Sequence, residues 1–221
     1  MKVTYNWLKD FAKIDIPAPE LADKLTMSGL EVTSLGRAQG DYVFEIEITS
    51  NRPDWLSAIG IAREAASICG RKMKNLPVPR VIPAADDPRK LRLKIEDKKA
   101  CQFYSVRIAY DLKVGPSPEW LVKRLQAIGL RAVNNIVDIT NYVLFTTGQP
   151  LHAFDLDKIR GGEIVVRFAR DGERIITIDG ESRELSGDIL VIADSVKPVA
   201  IAGIMGGKES EVVSFTRNIL L

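Results

Sequence analysis

The chain has 221 residues, 46% of them apolar and 27% charged, which is the balance of a soluble globular protein with room for one large or two ordinary domains. Its 31 basic and 29 acidic residues leave a net charge of +2, and with no long Lys/Arg run a basic nucleic-acid tail is excluded, so any nucleic-acid contact must be local. MKVTYNWLKDF at the N-terminus alternates too often for a signal peptide, no apolar stretch reaches the ~20 residues that span a bilayer, and Cys69 and Cys101 lack metal-ligand spacing; no membrane and a reduced, cytoplasmic setting are expected.

Trp7, Leu8 and Phe11 recur at helical spacing behind a Thr4 cap, and a second helix is expected to open at Pro19 and close at Gly29, burying Leu21, Ala22 and Leu25. From Tyr42 to Thr49 the period becomes two, with Phe44, Ile46 and Ile48 on one face and Val43, Glu45 and Glu47 on the other. Asn51-Arg52-Pro53-Asp54 then turns the chain into a helix carrying Leu56, Ile59, Ala62 and Ala66, stopped by Gly70. These elements form a small α+β domain over 1–74. The four prolines between Asn75 and Pro88 mark a linker over 75–90.

A larger α+β domain with mixed or antiparallel sheets is expected over 91–221, incomplete at its C-terminal end. Alternation predicts strands at Leu91 to Ile95 and Phe103 to Tyr110. A helix follows, with Ser117 and Pro118 as cap and first turn, a stripe of Leu121, Leu125 and Ile128, and Gly129 as its end. Another runs from Asn135 to Thr147 with Gly148 as terminator. Asp171-Gly172 and Asp179-Gly180 are hairpin turn signals, and DILVIAD, PVAIAGIMGG and NILL are the last strands.

Four stretches, SGLEV at 28–32, EIEITSNRPDWLSAIGIARE at 45–64, VGPSPEWLVKRLQAIGLRAVNNIVDITNYVLFTTGQPLHAFDLDKI at 114–159 and VIADSVKPVAIAGIMGGKESEV at 191–212, together resemble the bacterial phenylalanine-tRNA ligase β subunit, in the family's order and over nearly the whole chain. The resemblance implies the N-terminal portion of that subunit, including most of a domain that hydrolyses mischarged tRNA. Two departures stand out. The family carries a tRNA-binding oligonucleotide-fold domain between the SGLEV and EIEIT strands, where only the short loop Thr33 to Gly40 is expected here. The family also continues past NILL with a glutamate, where this sequence ends at Leu221, so a truncation and a loss of tyrosine selectivity are expected.

A pocket built for phenylalanine rejects tyrosine by only ~100-fold, which is why a second, hydrolytic sieve is needed. The resemblance places His152, Thr140 and Asn141 as its catalytic residues and Pro150, Ala202 and Gly203 against the substrate. His152, the only histidine, would hold the tRNA terminal adenosine or the ester, since no serine or cysteine sits in a nucleophile motif. Read without the family, a lone histidine is more often a packed or surface group, Thr140 simply lies on an apolar helix stripe, and Ala202-Gly203 is a tight bend. That bend would also expose backbone amides to a polarised carbonyl. Cys101 is read as a small structural residue. GIMGG lacks the spacing and context of a phosphate loop, and Asn51-Arg52-Pro53-Asp54 is read as structural.

The expected activity is water attack on the ester of Tyr-tRNA(Phe), without aminoacylation and with no cofactor or metal for this segment, ATP and Mg belonging to the full ligase. The implied partners are tRNA(Phe) and the ligase α subunit of a full-length heterotetramer. Two other readings stand beside it: a structural module that only assists ligase assembly, and a free-standing binder of aromatic amino acids.

Overall fold

The computed structural model describes residues 1–75 and 90–221. The expected linker at 75–90 lies almost entirely outside the described residues. The chain forms two compact units, Met1–Arg80 with Pro116–Leu151, and Val81–Gly115 with His152–Leu221.

In the first unit, β1 (Lys2–Thr4), β2 (Val32–Ala38) and β3 (Asp41–Ile46) form an antiparallel sheet in the order β1-β3-β2. Helix α1 (Tyr5–Phe11) starts as expected, with the Trp7 amide donating to Thr4 Oγ1 at 3.3 Å. Helix α2 (Ala18–Met27) buries Leu21, Ala22 and Leu25. Phe44 and Ile46 are buried, but so is Val43, so β3 is covered more fully than strict alternation implied.

After the Pro53–Trp55 turn, α3 (Ala58–Ile68) is capped by Ser57, whose hydroxyl accepts from the Gly60 amide at 3.0 Å. This corrects the expected stripe. Leu56 precedes the cap and is 54% exposed, Ile59 is only half-buried, and Ala58, Ile61, Ala62, Ala65 and Ala66 face the core. Arg52 reads as structural here too. It bonds Asp54 at 2.9 and 2.8 Å and Glu64 at 2.7 Å, while lying 3.3 Å from the Trp55 ring centroid.

Helices α4 (Glu119–Ala127) and α5 (Asn135–Thr147), which the sequence pattern grouped with the second domain, belong to the first unit. The reason is burial. Ile128 lies in the same core cluster as Trp7 and Phe44, and Tyr142 stacks on Trp7 with ring centroids 5.2 Å apart. Pro118, not Ser117, occupies the cap of α4, because the Ser117 hydroxyl donates to the buried carboxylate of Asp138. Helix α5 matches the expectation at both ends. Asn134 accepts from the Ile136 and Val137 amides at 3.1 and 3.0 Å, and Gly148 ends the helix at φ 80°.

In the second unit, β4 (Arg92–Ile95), β7 (Glu163–Phe168), β10 (Leu190–Ala193), β11 (Pro198–Ile201) and β12 (Met205–Gly206) form a mixed sheet in the order β12-β11-β10-β7-β4, with only β4 and β7 parallel. A second sheet sets β13 (Ile219–Leu220) between β5 (Ile108–Ala109) and β6 (Phe154–Asp155). The strand expected from Phe103 to Tyr110 thus shortens to two residues. Arg107 and Leu221 exchange both backbone bonds at 2.8 and 2.7 Å, and Phe103 to Val106 lie in no strand.

Strands β8 (Glu173–Ile176) and β9 (Ser182–Leu185) form a hairpin around Asp179-Gly180, as expected. Asp171-Gly172 is a turn but not the bend of a hairpin: β7 before it pairs with β10 and β4, and β8 after it pairs with β9. The fold class is α+β, as read from the sequence. No helix among the described residues is long and apolar enough to cross a membrane.

Candidate functional site

The expected site residues fall on both compact units. Thr140, Asn141 and Pro150 belong to the first unit; His152, Ala202 and Gly203 belong to the second.

Thr140 and Asn141 are consecutive on α5. The Thr140 side chain is buried, and its hydroxyl donates to the Val137 carbonyl at 2.7 Å, leaving the oxygen free to accept. Asn141 is half-buried, and its side-chain amide makes no hydrogen bond among the described residues. Pro150 is exposed just past the helix end, where its carbonyl accepts from Gln149 Nε2 at 3.3 Å.

In the second unit, Ile201, Ala202, Gly203 and Ile204 make the turn between β11 and β12. The Ile204 amide closes it on the Ile201 carbonyl at 3.1 Å, and Gly203 takes φ 70°, the left-handed value that favours glycine there. A Cβ on Gly203 would meet nothing within 4 Å, so the backbone conformation alone selects this glycine. The amides of Ala202 and Ile204 already donate to the Leu190 and Ile201 carbonyls at 2.9 and 3.1 Å. The Gly203 amide makes no backbone bond among the described residues, so the bend leaves one amide unengaged.

His152 lies just before β6, on the edge of Phe154, with ring centroids 4.5 Å apart at 66°. Its other neighbour is Gly206 in β12. A Cβ there would stand 2.5 Å from His152 Cε1 and 2.6 Å from Nε2. The imidazole therefore occupies space that any other residue at 206 would claim. Gly206 was not singled out in the sequence, where GIMGG counted as the end of a strand with a bend at Gly203. The signal available was a pair of glycines inside a strand, which marks close approach to the backbone.

Part of the His152 surface meets solvent, yet enough protein surrounds the ring for desolvation to lower its pKa below the ordinary value of 6.5. At neutral pH the ring is uncharged, with one nitrogen donating and the other accepting. Cys101 is a free thiol that donates to the Phe103 carbonyl at 3.4 Å, consistent with its structural reading. Among the described residues no three His, Cys, Asp or Glu side chains are grouped to hold a metal ion.

The B3/4 domain family matches residues 100–221. The chain is 42% identical over 223 residues to the phenylalanine--tRNA ligase beta subunit of Rhodopirellula baltica, covering 100% of this chain and 32% of that protein. It is 45% identical over 217 residues to the same subunit of Anaeromyxobacter dehalogenans, covering 92% of this chain and 27% of that one. The chain thus spans a third or less of the length of these relatives. A crystal structure of an N-terminal fragment of the phenylalanyl-tRNA synthetase beta-subunit from Pyrococcus horikoshii aligns over 100% of this chain and 66% of its own, with a TM-score of 0.54 and 19% identity, a likeness of fold. With more than half of its residues matched by that family, the chain belongs to the B3/4 domain family.

Proposed function

We propose that the chain acts within a phenylalanine-tRNA ligase β subunit and hydrolyses the ester of tyrosine mischarged on tRNA(Phe). One observation carries this reading beyond the likeness to relatives: the only histidine is exposed to solvent, has its pKa lowered by desolvation, and stands close against the Phe154 ring and the Gly206 backbone. Rigid placement is what a water-attack mechanism needs, because a positioned reactant pair can gain on the order of 10⁵ M in effective concentration. In this reading the imidazole's donor and acceptor nitrogens hold the ester and the terminal ribose, so that water meets the carbonyl in line. Thr140 and Asn141 supply an acceptor oxygen and an unengaged amide on one helix. Pro150, Ala202 and Gly203 contact the substrate. The tRNA and the ligase α subunit are the partners this function requires.

Deacylation of Tyr-tRNA(Phe), followed against spontaneous hydrolysis, tests it. The wild-type chain should speed tyrosine release, and His152→Ala should slow it. Gly206→Ala should do the same by up to about 100-fold, since an ångström of misplacement suffices for that. Circular dichroism should show both variants folded. A wild-type chain that leaves the ester at its spontaneous rate overturns the reading.

A further inference from the structure

A second recess lies wholly within the second unit, between the β8–β9 hairpin and β11, with a volume of about 270 Å³. Its floor is apolar: Ile175, Pro198 and Val199 are all buried. Gly207 forms one wall, and a Cβ there would stand 2.7 Å from the Val199 carbonyl oxygen, so only a glycine packs this closely against β11.

Three positive side chains, Lys158, Arg174 and Lys197, reach its rim from three different segments, against one lining carboxylate, Glu209. Lys158 is held in place, with Nζ donating to the Glu211 carbonyl at 2.8 Å and lying 3.7 Å from Asp155 Oδ2. Its side chain is 31% exposed and that of Lys197 is 30% exposed, so neither is a freely waving surface lysine. Lys197 pairs with Glu209, whose own side chain is 60% exposed and can swing into water when a stronger anion arrives. Arg174 pairs with Glu184 at 2.9 Å with 58% of its side chain exposed, and is equally free to re-pair.

An apolar floor under a rim of ion-paired cations, two of them held by exposed carboxylates that an anion can displace, suits a flat ring carrying a phosphate. The volume is below the roughly 300–1,000 Å³ of pockets for larger ligands, which limits the occupant to one small unit. We propose that this recess binds a nucleoside monophosphate unit, its phosphate on Lys158 and Lys197 and its ring on Ile175 and Val199. The unit can be a free nucleotide or one residue of a single RNA strand. The site is separate from His152 and does not rest on the hydrolytic reading.

Calorimetric titration of the full chain with AMP tests it, with adenosine as the control and a short oligoadenylate as the second probe. Lys197→Gln should weaken AMP binding about tenfold, the usual worth of a charge-assisted hydrogen bond to phosphate. The Lys197 fold role is carried by its amide, which donates to Asp194 Oδ1 at 2.8 Å, so the variant should remain folded. Glu209→Gln should tighten AMP binding about threefold by freeing Lys197, a gain that loss of structure cannot imitate. Oligoadenylate competing with AMP assigns the site to an RNA strand, whereas AMP binding alone assigns it to free nucleotide; both uphold it. Adenosine binding as tightly as AMP, no AMP binding, or indifference to both substitutions overturns it. Because only binding is read, this outcome is independent of any deacylation result.

Discussion

Arg167 is 6% exposed, and its guanidinium is met by both oxygens of Glu173 at 2.9 and 2.7 Å, with the Arg170 amide donating to the same carboxylate at 3.0 Å. The bond from Arg167 holds the Glu173 carboxyl below its ordinary range, against the opposing effect of burial. Removing one partner strands the other's charge, so Glu173→Gln should cost about 3 kcal/mol, read as a shift in the urea midpoint. The sign in pH follows from the depressed value. The stabilisation is complete above pH 4.5 and is lost as pH falls through the lower folded value, and the variant should show a shallower acid limb than the parent. A variant with an unchanged midpoint at neutral pH would show that the pair contributes nothing. This pairing was not legible in the sequence, because nothing in local spacing ties Arg167 to Glu173. His152 was legible only through the resemblance, and Gly206 was not, because an imidazole filling the space of a missing Cβ leaves no mark on local spacing.

Strand β2 shows the same limit one level up. The segment VTSLGRA alternates on neither face, its burial is intermediate or exposed throughout, and it was read as part of a connecting loop. It is nonetheless a full edge strand, held by its ladder to β3 from Val32 to Ala38, because pairing does not require an apolar face when the partner strand is already fixed. The connection shrinks to Gln39-Gly40, at φ 52° and 78°, flanked by the paired Ala38 and Asp41. Two positive φ values in a two-residue hairpin are those of a type I′ turn, matched to the twist of the strands. The resemblance puts an inserted domain between these same strands, and so tight a turn shows how completely this sheet closes without it. Gly40→Ala should then cost about 1 kcal/mol, the penalty of a Cβ in the left-handed region. Gln39→Asn should recover a few tenths of that, since asparagine tolerates this conformation better. Urea midpoints of the two variants give both signs, and a neutral Gly40→Ala would exclude the tight turn in solution. Helix α5, by contrast, was legible over its length from Asn135 to the Gly148 terminator, a signal local to the chain, although the Asn134 cap was not singled out.

Periodicity found most helices of the molecule, but the grouping of elements into units was not local information. The prolines of 75–90 suggested that everything after them forms a second domain, yet α4 and α5 lie with the N-terminal elements. What decides this is the demand of the first core. Trp7 is fully buried, with one face covered by the Tyr142 ring, and Ile128, Leu130 and Phe145 pack on the same cluster. Arg124 adds a 2.6 Å bond to Asp10. Each large side chain withdrawn from such a core forfeits about 1.5–3 kcal/mol of burial. Losing all four is on the order of the whole 5–15 kcal/mol that keeps a domain folded. A fragment of residues 1–75, cut one residue into the expected linker, should therefore lack a cooperative urea transition and expose Trp7, with its fluorescence shifted to that of a solvated indole. The same fragment joined by a flexible linker to residues 116–151 should regain both the transition and the buried emission. If 1–75 alone unfolds as cooperatively as the full chain, the later helices are ornaments on a finished core, and the division of the molecule follows chain order after all.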